Sequence, residues 1–162
     1  MAVGSASWSF TEDDFAAITQ ALQRFLDDAN ARCALLVDRS GQLVATVGEQ
    51  PRFDSTAFAT LTAADFSAND QLAKLIGERD FNSLFHQGEK ESMYLADVAR
   101  RLILVVLFDS RTTLGLVRLK MKQTVEELTK LFEQVFKRPP QSPGGASGLL
   151  AGADDEIDKL FQ

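Results

Sequence analysis

Residues 114–138 read LGLVRLKMKQTVEELTKLFEQVFKR, and the fold turns on whether this stretch is a strand or a helix. Val117, Leu119 and Met121 alternate with Arg118 and Lys120, the period-two pattern of a half-buried strand. Leu114, Val117, Met121, Val125, Leu128, Phe132 and Val135 also fall on one helical stripe without a miss. The helical match is the longer, so the spacing predicts a helix. Pro139 and Pro140 stop it, because a proline disfavours helical geometry in the residue before it.

Upstream of that helix the pattern changes to strands. RLILVVLF (101–108) is apolar on both faces from Leu102 to Phe108, as in a central strand covered on both sides. SMYLADV (92–98) precedes it across the tight connection Ala99–Arg100, and SLFHQGE (83–89) is a weaker strand before that. A helix is expected from Asp54 or Ser55 to Gly77, a natural residue just past a helix end. Its expected core face is Phe58, Leu61, Ala68, Leu72 and Leu75, with Asp65 a misfit on the same stripe. A different face carries Ala59, Ala63 and Ser67, with Ala64 beside them, and small residues there let another backbone lie close.

Near the start, CALLVD (33–38) and QLVATV (42–47) form a hairpin, with Gly41 in the turn free to take a positive φ. The first helix opens with Thr11 as N-cap and Asp14 three residues on, an acidic variant of the capping box. Phe10 and Phe15 stand at the positions of a hydrophobic staple. Phe15, Ile18, Leu22, Phe25, Leu26 and Ala29 then follow one face to an end near Ala29–Asn30. The order is helix, two strands, helix, three strands, helix. Connections this short make the sheet antiparallel, an α+β fold with helices against its faces.

Beyond Lys137 the composition shifts. Residues 139–152 are rich in Pro, Gly and Ser, as in a flexible tether. Residues 153–162 regain a pattern: Asp154 and Asp155 can cap a short helix, and Ile157, Leu160 and Phe161 sit at i, i+3, i+4 spacing. About nine helical residues are marginal alone in water, so this motif needs an apolar groove elsewhere. We therefore divide the chain into a folded domain (1–138), a tether (139–152) and a C-terminal interaction motif (153–162).

Bulk properties bound the function. At 162 residues and 45% hydrophobic content the chain suits one domain with a real core. The formal net charge of −6 argues against a general nucleic-acid binder. A single cysteine excludes an intramolecular disulfide. MAVGSASWSF lacks the charged and apolar regions of a signal peptide, and no apolar run approaches the ~20 residues of a membrane span. The expectation is a cytoplasmic protein that does not engage membrane.

Chemistry is sparse. His86 is the sole histidine, so a metal site or nucleophilic triad would have to centre on it. Its plainer reading is a residue bonding near its own strand. Cys33 reads as a small buried hydrophobe. No glycine belongs to GxGxxG or to a phosphate loop. Acidic pairs stand at helix starts or on exposed faces, where they complement the dipole or meet solvent. No cofactor is expected and no enzyme of its own. What remains is surface: the small-residue helix face, an open sheet edge, and the terminal motif.

Several stretches resemble the roadblock/dynein light-chain family, and within it the MglB-like branch. They are DANARCALLVDRSGQLVATVG (28–48), FATLTAADFSANDQLAKLIGE (58–78), FHQGEKESMYL (85–95), LVVLFDSRTTLGLVRLKMK (104–122) and DDEIDKLFQ (154–162). The order αββαβββα with a five-stranded antiparallel sheet is that family's. The resemblance implies a homodimer whose sheets join across the two-fold axis. It implies that one dimer binds one GTP-loaded, MglA-like, Ras-like small GTPase and speeds its hydrolysis. It implies no arginine finger, the partner's own catalytic groups being realigned instead, so Arg39, Arg79 and Arg111 receive no such role.

The family's GTPase-facing surface includes the second helix, which maps here to Ala63, Ala64, Ser67, Ala68 and Gln71. Relatives favour a TAGNVAA-like run where this chain has TAADFSANDQLA (62–73), so Phe66, Asp70 and Gln71 are departures. The small-residue face has a second candidate occupant, the chain's own dimer mate. The terminal motif, with Ile157, Leu160 and Phe161, is expected to contact the GTPase away from the main interface and tune exchange or complex stability. Its alternative is docking on its own domain. Two other functions stay open: a scaffold or adaptor that leaves hydrolysis unchanged, and a small-molecule sensor.

Overall fold

A computed structural model describes residues 9–138. The tether at 139–152 and the terminal motif with Ile157, Leu160 and Phe161 lie outside the described residues. The elements run α1 (Glu12–Ala29), β1 (Cys33–Asp38), β2 (Leu43–Gly48), α2 (Ser55–Leu75), β3 (Ser83–Gln87), β4 (Ser92–Val98), β5 (Leu102–Phe108) and α3 (Leu114–Lys137). Residues 114–137 are thus one helix, capped by the Thr113 side chain on the Leu116 N–H. Arg138 leaves it in extended geometry, as a residue before proline should.

The five strands form one antiparallel sheet in the order β2-β1-β5-β4-β3. β5 is central, and its residues from Leu102 to Val106 are fully buried. Alternation along the strands sorts side chains into two layers. Ala34, Leu36, Ala96, Val98, Leu102, Leu104 and Val106 face α1 and α3, together with Ile18, Leu22, Phe25, Met121, Leu128 and Phe132. Cys33, Leu35, Val37, Leu95, Ile103 and Val105 face the other way, onto Ala59 and Phe66 of α2. Among the described residues β2 and β3 are the edge strands.

Local signals explain the joints. Thr11 accepts from the Asp14 N–H while Asp14 accepts from the Thr11 N–H, closing the capping box. Gly41 turns the first hairpin at φ +97°. Ala99 and Arg100 both take positive φ, the left-handed pair that lets two residues reverse a strand. α1 and α3 lie side by side, fastened at one end by two hydrogen bonds from Arg138 to Asp14 at 2.6 and 2.9 Å.

One expectation for α1 fails. Phe15 is 48% exposed rather than in the core. Phe10 takes the inner position, its ring edge-on to Phe132 at 5.5 Å.

Candidate functional site

α2 is built to present a face. Asp54 caps it by accepting from the Thr56 and Ala57 N–H groups. At its far end Glu78 N–H reaches Ala73 O and Gly77 N–H reaches Lys74 O, with Gly77 at φ +84°. That is the paired closure that small left-handed residues permit.

The helix is turned relative to expectation. Leu61, Leu72 and Leu75 were expected in the core, but they are exposed at 69%, 57% and 82%; Ala68 is exposed too. The buried residues are Ala59, Thr62, Ala63, Phe66, Asn69 and Ala73, while Phe58 is half-buried against Phe53. The alanine stripe lets the helix backbone approach the sheet closely, and Phe66, fully buried, is the largest side chain the helix puts into that layer. A leucine stripe would hold the helix further off. It stays on the outward side instead.

The sequence-derived site residues divide accordingly. Ala63 lies underneath, buried. Ala64, Ser67, Ala68 and Gln71 are exposed and share the outward face with Leu61, Leu72 and Leu75. Of the departures from the family pattern, Phe66 is fully buried and Asp70 is half-buried in an ion pair. Of the three, only Gln71 is exposed.

Two polar clasps fix the helix on the sheet. Arg39, beyond β1, donates to Asp70 on α2 at 2.7 Å and also to Asp97 on β4, with its guanidinium 4.8 Å from the Phe66 ring centre. Burial works to lower the Arg39 pKa, but the hydrogen bonds it donates to Asp97 and Asp70 outweigh it and raise it, so the side chain stays charged. On the opposite flank, His86 Nε2 of edge strand β3 lies 2.6 Å from Asp65 Oδ2. This pair resolves the Asp65 misfit: the carboxylate sits on the flank of the helix, aimed at the strand. The sequence separation of 21 residues hid it.

These clasps give the outward face a direction. At about 100° per residue, Leu61 and Leu72 fall on the Asp65 side, toward β3. Ser67 and Gln71 fall on the other side, toward the β1–β2 hairpin, where Thr60 meets Gly41.

Other reactive groups are engaged. Cys33 is buried, and burial pushes its thiol up to about 11, so it is a poor nucleophile. Arg111 pairs with Asp109 and Glu49 at 3.0 and 3.1 Å, and Arg32 pairs with Glu49 and Glu91, together fastening one end of the sheet. Hydrogen bonds from the arginines hold Glu49 and Asp109 below the usual carboxylate range. Among the described residues no group of three or more His, Cys, Asp or Glu is placed to hold a metal ion. No helix among them is long and apolar enough to cross a membrane.

Comparison with known proteins gives a consistent result. The family model described as Roadblock/LC7 domain matches residues 17–108. The chain is similar to Myxococcus xanthus MglB, with 48% identity, a TM-score of 0.72, and 74% of this chain matched to 98% of that one. It is similar to an MglB described as having a tetrameric arrangement, at 32% identity and TM-score 0.74, covering 80% of this chain and 97% of that one. It is also similar to the gliding protein MglB of Thermus thermophilus, at 32% identity and TM-score 0.73, covering 79% and 97%.

Proposed function

The chain belongs to the Roadblock/LC7 domain family, and from that premise we propose that it is a homodimeric activator of a Ras-like, MglA-like small GTPase in its GTP-bound form. It acts in the cytoplasm, in polarity or motility signalling. The observation that carries this reading is the outward turn of α2. A helix that buries alanines and exposes Leu61, Leu72 and Leu75 is shaped for protein partners.

Two partners share the face. Leu61 and Leu72 flank β3, whose free edge offers unpaired backbone groups. A second copy covers both, joining the two sheets across a two-fold axis. The relative described as an MglB with tetrameric arrangement supports self-association, though not this particular geometry. Ala64, Ser67, Ala68 and Gln71 remain outward and, duplicated by the dimer, meet the GTPase.

The mechanism uses shape rather than reactive groups. Phosphoryl transfer needs positioning and charge stabilisation more than covalent help from the protein. A surface that binds the hydrolysis-competent arrangement of the GTPase more tightly shifts its population by that difference, about 1.4 kcal/mol per tenfold. Arg39 and Arg111 are held in ion pairs within the domain, which supports leaving the transition-state charge to the partner's own groups. The terminal motif with Ile157, Leu160 and Phe161 tunes binding or nucleotide exchange from outside the main interface.

Phosphate release from the GTPase, with and without this chain, tests the reading. Acceleration supports it. A second reading, a scaffold that binds without accelerating, is favoured by the same exposed leucines and edge, and binding without acceleration would establish it.

A further inference from the structure

On the sheet face opposite α2, an open groove of about 750 Å³ runs between α3 and β4. Tyr94 and Ala96 form its floor, and Leu119, Met121 and Val125 form its wall. Leu119 is 54% exposed, an unusual position for a leucine with an apolar floor beside it. Arg118 and Lys122 stand on the same helix at the groove, the Arg118 guanidinium 5.9 Å from the Tyr94 ring centre. Asp97 and Glu126 also line it, but Asp97 is already paired with Arg39.

We propose that this groove is the docking site of the chain's own C-terminal segment, residues 153–162. Three observations select that occupant. The first is chemistry: Ile157, Leu160 and Phe161 give an apolar stripe at helical spacing, which suits an apolar trough. The second is charge: Asp154, Asp155, Glu156 and Asp158 stand against the single Lys159, and the groove offers Arg118 and Lys122 against Glu126, with Asp97 already engaged by Arg39.

The third is reach. From Val125 back to the end of α3 at Lys137 is about 18 Å, at a helical rise of about 1.5 Å per residue. A chain with the Gly/Ser-rich composition of residues 139–152 has a root-mean-square span of about 21 Å. A linker matched to its span gives the highest effective concentration. Ten helical residues extend about 15 Å, and the α3 wall from Gly115 to Thr129 runs about 21 Å, so the segment fits lengthwise.

The docking does not depend on the GTPase reading. Its regulatory consequence does: a segment seated in the groove is withheld from a GTPase until the partner competes it away.

The test uses the full chain with Gln162→Cys carrying a nitroxide. Cys33 is buried with its thiol pushed up to about 11, so labelling addresses the new cysteine. Methyl NMR signals of Ala96, Leu119, Met121 and Val125 should lose most of their intensity and regain it when the label is reduced. Leu160→Asp with Phe161→Asp should abolish the loss. Broadening on α2 instead, or none, overturns the proposal. Broadening seen only when label and reporter sit on different chains also overturns it, in favour of a second copy in the groove. No GTPase is present, so failure here leaves the GTPase reading untouched.

Discussion

Arg39 and Asp70 stand 31 residues apart in sequence and meet in a 2.7 Å hydrogen bond between the β1–β2 hairpin and α2. The same guanidinium reaches Asp97 at the end of β4 and covers the Phe66 ring. This side chain therefore helps set how α2 lies on the sheet, together with the His86–Asp65 pair on the other flank and the buried Ala59 and Phe66.

Arg39→Met removes that clasp and leaves Asp70 and Asp97 without their cation. Charged hydrogen bonds in partly covered sites support a loss of roughly 2–3 kcal/mol. Urea unfolding measures it. A variant that also loses GTPase affinity beyond its loss of stability identifies Arg39 as a positioning residue for α2.

Asp14 gives the chain an acid limb. The Arg138 guanidinium is the main cause holding its carboxyl below the ordinary value, with the Thr11 N–H and hydroxyl adding to it against the cost of burial. A depressed carboxylate contributes its full stability above its unfolded value of about 3.9. That stability is lost as pH falls further, through the folded value. Asp14→Asn should flatten the fall in stability below about pH 4, although Glu49 and Asp109 are depressed as well and keep part of it. Denaturant midpoints across the acid range check the sign.

Leu61→Asp combined with Leu72→Asp puts charge beside the β3 edge at positions exposed in the protomer. Surface changes of this kind alter protomer stability by about 0.5 kcal/mol or less. The homodimer should nevertheless dissociate, read as a halved mass in light scattering. An unchanged mass would move the dimer interface off α2 and β3.

Ending the chain after Pro140 retains Arg138 and its bonds to Asp14, so the domain should keep its fold by circular dichroism. Affinity for the GTPase, or its nucleotide exchange rate, should change. Equal values with and without residues 141–162 would remove the role given to the tail.

Much of the architecture was legible because it is written in local signals. The seven-residue stripe from Leu114 to Val135 decided α3 against the shorter alternation of Val117, Leu119 and Met121. Thr11, Asp54, Gly41 and Gly77 marked ends and turns where the structure places them. The rotation of α2 was not legible. Periodicity identifies a stripe but not which stripe meets the sheet, and Leu61, Leu72 and Leu75 compete with Ala59, Ala63 and Ala73 at the same spacing. Close approach to the sheet favoured the small residues. The Arg39–Asp70 and Asp65–His86 clasps join distant segments, so no local pattern announces them.

The most direct test of the central claim is single-turnover phosphate release from the GTP-loaded, MglA-like partner, comparing the native chain with Ser67→Arg. Ser67 is exposed on α2, so the substitution spares the core. The account predicts faster release with the native chain, and binding and acceleration lost together with Ser67→Arg while the dimer persists. Acceleration that survives Ser67→Arg undiminished would contradict it.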